Sequence, residues 1–187
     1  KGLPASLFMA ISKALCKSAA LRGGAAVDQV LSEANAEIAR DNPEFMFVTA
    51  LLCSLDLDSG ELRYANAGHE PAILLRAGGG IARLDAAGGP PICMIENHVY
   101  AGAGCVLDPG DALLLYTDGV TEAMDAQGHL YGRDRLCRLL GGLDAATPCA
   151  DIIAAIQRDL QVFGAVEERA DDITMLALRW RGPTARI

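Results

Sequence analysis

Two acidic clusters stand out by position. Asp118 directly follows an apolar run from Ala112 to Thr117, in the stretch Tyr116-Thr117-Asp118-Gly119-Val120-Thr121-Glu122. Asp171 and Asp172 immediately precede a second apolar run, Ile173 to Trp180. If these runs are strands and neighbours in an antiparallel sheet, the end of one lies beside the start of the other. Both clusters then share one sheet edge. Carboxylates gathered in one place repel, and burial without partners raises their pKa. A hard divalent cation with oxygen ligands removes that conflict. Gly119 permits close backbone approach and can offer its carbonyl as a further ligand. The spacing by itself favours plain structure, because Asp-Gly is a common turn dipeptide and an Asp before a strand is often only solvated. Spacing alone leaves both readings open.

The remaining polar residues read more simply. His69 follows Asn66-Ala67-Gly68 at a strand end, where a structural hydrogen bond in a turn held by Asn66 is favoured over acid–base work. His98 and His129 fall in polar loops and read as solvated. Glu122, one turn beyond Asp118, reads as a helix-start carboxylate favoured by the local dipole. Arg133 and Arg135 read as a solvated helix face, although guanidinium groups there could meet phosphate. The six cysteines never form a C-x-x-C pair, and most lie in apolar stretches as small hydrophobes. Reduced thiols and a cytoplasmic protein are expected.

The elements that would position these groups follow from periodicity. Helices are expected at Pro4–Ser18, with Leu7, Ile11 and Leu15 on its buried face beside Phe8 and Met9, and at Val27–Arg40. The second carries the stripe Val27, Val30, Leu31, Ala34 and Ile38, and Asn42-Pro43 ends it. Met46 to Leu57 is apolar at both parities, which predicts a strand covered on both faces. Asp58-Ser59-Gly60 turns the chain into a returning strand at Leu62–Ala67. A hairpin is expected at Ala72–Arg76 and Ile81–Leu84, and strands at Gly104–Leu107 and Ala112–Thr117 about the turn Asp108-Pro109-Gly110-Asp111. Helices return at Arg133–Leu140 and at Pro148–Phe163, the latter with Thr147 as N-cap, before a buried strand at Ile173–Trp180. Helices, then antiparallel strands, then helices and a strand indicate an α+β fold.

Composition narrows the class. The chain has 187 residues and a formal net charge of −8. That length suits a single domain spanning residues 1–187, and a 51% apolar share excludes wholesale disorder. The acidic balance argues against nucleic acid, which demands a basic face. The longest nearly apolar run, Phe45 to Leu55, is 11 residues, against the roughly 20 a membrane helix needs, so membrane insertion is not expected.

Five stretches, in order, resemble the PPM/PP2C superfamily and within it the bacterial SpoIIE/RsbU-type serine phosphatases. They are Lys1-Gly2-Leu3-Pro4-Ala5, Tyr64-Ala65-Asn66-Ala67-Gly68-His69, Leu107-Asp108-Pro109-Gly110-Asp111, Tyr116 to Ala123, and Ala170-Asp171-Asp172-Ile173-Thr174. Tyr131-Gly132 fits as well. The resemblance implies an α/β/β/α sandwich of two antiparallel sheets flanked by helices, and hydrolysis of phosphoserine or phosphothreonine in proteins with two Mn²⁺ or Mg²⁺ ions. Residue by residue it implies Asp118 and Asp171 as metal ligands and catalytic residues, and Asp172 as a lesser candidate ligand. It implies a phosphorylated partner of the anti-anti-sigma, STAS type in bacterial partner switching, and an upstream sensory or receiver domain whose signal reaches the first two helices.

The resemblance also implies acidic elements upstream of the opening Gly-Leu-Pro. On that reading the chain is truncated at its N-terminus and lacks the early strands. Weak metal binding and little activity would follow, as would an open sheet edge that a second copy could cover. A catalytically inactive module that grips a phosphoprotein is the alternative; an Asp encoded before Lys1 would decide for the enzyme. A kinase is disfavoured, because no G-x-x-x-x-G-K-[ST] loop is present.

Overall fold

The structure, a computed structural model, describes residues 3–21, 26–40, 42, 45–164 and 172–183. In chain order the elements are α1 (Leu3–Leu21), α2 (Val27–Arg40), β1 (Ala50–Leu55), β2 (Glu61–Ala67), β3 (Ile73–Leu75), β4 (Ile81–Arg83), β5 (Gly88–Gly89), β6 (Ala103–Val106), β7 (Ala112–Tyr116), α3 (Asp118–Thr121), α4 (Arg133–Gly141), α5 (Cys149–Phe163) and β8 (Met175–Arg179). This is the expected mixture of helices with two sheets. The chain forms two compact units: Lys1–Asp56, Glu61–His69 and Asp85–Cys105 make the first, and Leu57–Gly60, Glu70–Leu84 and Val106–Ile187 the second.

In the first unit β1 runs antiparallel to β2, with Ala50 opposite Ala67 and Leu55 opposite Leu62. β5 joins β2 in parallel, and β6 also pairs with β2. α2 buries the stripe its periodicity predicts, Val27, Val30, Leu31, Ala34 and Ile38. It also buries Asn35, which is satisfied by the Cys93 N–H at 2.7 Å and the Ile95 carbonyl at 3.0 Å.

α1 departs from expectation. Leu7 and Ile11 are 55% and 54% exposed and Met9 is exposed, whereas Phe8, Ser12 and Ala19 are buried. The helix is apolar over more of its circumference than one face can bury, so of the expected stripe Leu15 packs against the core while Leu7 and Ile11 do not. Ser12 tolerates burial because its hydroxyl donates to the Phe8 carbonyl at 2.8 Å. The strand expected at Met46–Leu57 is shorter, Ala50–Leu55, and only half-buried. Among the described residues β1 has one strand neighbour, so nothing paired with its other edge helps to cover it.

In the second unit β4, β3, β7 and β8 form an antiparallel sheet in that order. β3 and β7 hold its centre, and Leu136 and Leu140 of α4 with Ile152, Ile156 and Leu160 of α5 complete one core with them. The Asp108–Asp111 turn is locked by the fully buried Asp111 carboxylate. It accepts the Ala77 N–H at 2.7 Å, the Asp108 N–H at 3.0 Å and Arg76 at 2.8 Å. Gly110 in this turn has φ +99°, a conformation that favours glycine.

Two further expectations fail here. β8 is not buried throughout: Met175 and Ala177 pack on the core, while Leu176, of opposite parity, is 57% exposed. α5 begins after Pro148, not Thr147, and no side chain caps it. The Thr147 carbonyl instead accepts Arg179 Nη2 at 2.7 Å.

Candidate functional site

β7 ends at Tyr116, and Thr117 is extended (φ −85°, ψ 161°) before α3 starts. As N-cap of α3, Thr117 makes no side-chain cap. Its hydroxyl is engaged sideways: it donates to the Asp172 carbonyl at 2.8 Å and accepts the Thr174 N–H at 2.9 Å. The Thr117 N–H in turn donates to the Thr174 carbonyl at 3.0 Å. The β7–β8 ladder, in which Tyr116 faces Met175, therefore continues past both strand ends. The backbone of residue 172 comes within a hydrogen bond of the residue preceding Asp118.

Asp118 and Asp172 are both exposed at this edge. Asp171 lies outside the described residues. The described hydrogen bonds of Asp118 run through its backbone carbonyl, to the Glu122 N–H at 2.7 Å and the Thr121 hydroxyl at 3.3 Å. Gly119 is buried behind it. The donors here are carboxylate oxygens, which suit a hard divalent cation. Among the described residues no group of three or more His, Cys, Asp or Glu side chains gathers as a metal site.

Two carboxylate–arginine–tyrosine clusters meet at the first turn of α4, and sequence reasoning missed both. Glu70 accepts Arg133 through Nε at 2.9 Å and Nη2 at 2.8 Å, and the buried Tyr116 hydroxyl at 3.3 Å. Asp159 accepts Arg135 through Nε at 2.8 Å and Nη2 at 2.9 Å, and the Tyr131 hydroxyl at 2.7 Å. The Arg135 guanidinium also lies over the Tyr131 and Phe163 rings, 5.3 and 5.0 Å from their centroids. Neither arginine is thus merely solvated. Burial, reinforced by the Glu70 charge, pushes the Tyr116 hydroxyl above its ordinary pKa. The bonds from Arg135 hold Asp159 below the usual carboxylate range. No local pattern announces these pairs, because the partners are 63 and 24 residues apart.

Beside them, a cleft of about 400 Å³ is lined by Thr121 and Glu122 on one side and by Arg133, Asp134 and Arg138 of α4 on the other. Glu122 is the C-cap of the short α3, not the start of a helix.

The histidines behave as follows. Asn66 brackets His69, accepting its N–H at 2.8 Å and donating to its carbonyl at 2.9 Å. Gly68 between them has φ +72°, and a Cβ there would meet the Pro91 ring at 2.7 Å. His129 is exposed but paired with Asp125 at 2.9 Å, and half-buried His98 meets Tyr100 edge-on at 4.8 Å; neither is simply solvated. All six cysteines are free thiols. Burial pushes Cys53 up to about 11 and raises Cys16, Cys93 and Cys137. None of these four is a ready thiolate nucleophile.

The sequence model of the family described as Stage II sporulation protein E (SpoIIE) matches residues 1–181. Over 136 residues, 71% of this chain, the sequence is 37% identical to Protein IcfG of Synechocystis, and the match covers 20% of that protein. Over 134 residues, 72% of this chain, it is 29% identical to the phosphoserine phosphatase RsbU of Bacillus subtilis, covering 40% of it. The chain thus spans less than half the length of these relatives. The structure superposes on the SiaA-PP2C domain of Pseudomonas aeruginosa with a TM-score of 0.76 at 23% identity, over 95% of this chain and 70% of that one, so the fold is PP2C-like.

Proposed function

We propose, from the premise that the chain belongs to the SpoIIE family, that it hydrolyses phosphoserine or phosphothreonine on a regulatory protein. The reaction class is metal-assisted hydrolysis, without a covalent enzyme intermediate. The substrate class we infer is a small STAS-type, anti-anti-sigma protein in partner-switching signalling, in the cytoplasm, under control of an upstream sensory or receiver domain. We read residues 1–187 as one domain, because a single family model runs across both compact units. No described helix is long and apolar enough to cross a membrane.

One observation carries the chemical reading: the Thr117 hydroxyl ties the β7 end to the backbone at Asp172. Asp118 and the Asp171-Asp172 pair are the residues that would hold Mn²⁺ or Mg²⁺. When bound, the cation supplies Lewis-acid chemistry, polarising a phosphoryl oxygen and acidifying water. The chain's own part is positioning. Thr117 commits its hydroxyl to the backbone at residues 172 and 174, and the described hydrogen bonds of Asp118 run through its backbone carbonyl. Tyr116, anchored on Glu70, holds the strand end from the core side. A backbone fixed in this way at the strand end limits the reorganisation needed at the moment of reaction.

The test is turnover of a phosphoserine peptide by the full-length protein with and without Mn²⁺. Asp118→Asn is expected to lower turnover by about 100-fold or more and to weaken Mn²⁺ activation. Turnover equal to wild type would remove Asp118 from the reaction.

A further inference from the structure

We propose that the cleft walled by α3 and α4 is the docking site for the polypeptide segment that carries the phosphorylated residue. This rests on the phosphatase reading above and adds where and how the substrate chain is gripped.

Position comes first. α3 begins with Asp118, and its C-cap Glu122 lines the cleft. At 1.5 Å rise per residue Glu122 lies about 6 Å further along the helix axis. A segment lying in the cleft therefore passes within about one helical turn of Asp118, so a phosphorylated side chain on it can reach that edge while its neighbours remain seated.

The walls are also built in advance. Arg133 is held by two bonds to Glu70, and Arg135 by two bonds to Asp159 with aromatic rings beneath it. Side chains that are already fixed lose little freedom when a ligand arrives.

Charge then selects the ligand class. Glu70 and Arg133 neutralise each other, and Arg135 is neutralised by Asp159. The exposed charges left at the cleft are Glu122, Asp134 and Arg138, and Leu130 at its rim is 53% exposed. Among the described residues Arg138 makes a long hydrogen bond, 3.4 Å, from Nε to the Asp134 carbonyl of its own helix, at the outer limit of hydrogen bonding. A small anion would need positive charge without opposing carboxylates. An open cleft with charges of both signs and an apolar rim fits an extended polar peptide instead, whose flanking side chains meet Arg138 and Asp134.

The experiment compares fluorescently labelled short phosphoserine peptides, with acidic or basic residues flanking the phosphoserine, against p-nitrophenyl phosphate. Binding is read by fluorescence anisotropy and turnover in Mn²⁺, using the full-length protein, Arg138→Glu and Asp134→Lys. Both residues are exposed, so circular dichroism should report an intact fold. Each variant is expected to lower kcat/KM for peptides about tenfold more than for p-nitrophenyl phosphate. Arg138→Glu should penalise acidic flanks and Asp134→Lys basic ones. Equal losses on both substrates, or peptide kinetics indifferent to both changes, would overturn the docking site. Hydrolysis that ignores Arg138 and Asp134 would leave the phosphatase standing and remove the cleft. Peptide binding that depends on them without any hydrolysis would do the reverse. Neither binding nor hydrolysis would end both readings.

Discussion

Two strands with nearly the same opening sequence meet opposite fates. β1 is Ala-Leu-Leu-Cys-Ser-Leu and β7 is Ala-Leu-Leu-Leu-Tyr. In β7, Ala112, Leu113 and Leu114 are buried to 1% exposure or less. In β1 five of six residues are only half-buried and Ser54 is exposed. The difference is in the neighbours. β7 pairs with β3 on one edge and β8 on the other, and α4 and α5 join its core. Among the described residues β1 pairs with β2 alone. An apolar strand has the capacity to be buried, and its neighbours decide whether that capacity is used. The candidate site grows from the end of the sealed strand, which holds the backbone that leads into Asp118.

The comparison breaks if equivalent leucines turn out equally costly. Leu114→Ala should destabilise by about 3 kcal/mol, whereas Leu52→Ala should cost about 1 kcal/mol. Urea midpoints of the two variants measure this, and equal shifts would mean that β1 is as well covered as β7.

The second unit should also carry an acid sensitivity centred on Asp111. Burial alone would raise its carboxyl pKa, but the Ala77 and Asp108 N–H groups and Arg76 outweigh it and hold it below the usual range. A lowered folded-state pKa means stability that is present above the unfolded value and lost as pH falls through the folded one. Asp111→Asn should therefore cost about 2 kcal/mol near neutral pH and flatten the fall of the urea midpoint as pH drops below about 4. A midpoint that falls just as steeply in the variant would assign the acid sensitivity elsewhere.

The smallest effects are expected on α1. Leu7→Ser and Ile11→Ser sit on its exposed side and should stay within about 0.5 kcal/mol. Phe8→Ala, one residue away and buried, should cost about 3 kcal/mol. Large losses at Leu7 or Ile11 would show that this side packs against something in solution.

Much of the architecture was legible in the chain. The α2 stripe, the β2 return after Asp58-Ser59-Gly60, the hairpin of β3 and β4, and the Asp108–Asp111 turn all rest on short-range periodicity and turn chemistry. The position of Asp118 at a strand end was legible for the same reason. The short α3 and the two-residue β5 were not, because neither is long enough to show a period.

By itself, then, the sequence determined which of the longer segments are helix and which are strand, where the main turns fall, and that acidic residues sit at strand ends. The tertiary structure alone decided which side of α1 is buried, that β1 is half-open, and that Glu70 and Asp159 claim Arg133 and Arg135. The physical reason is range. Local elements answer to residues three or four apart along the chain, whereas burial and ion pairing answer to whichever groups the folded backbone brings within a few ångströms, however distant they are in sequence.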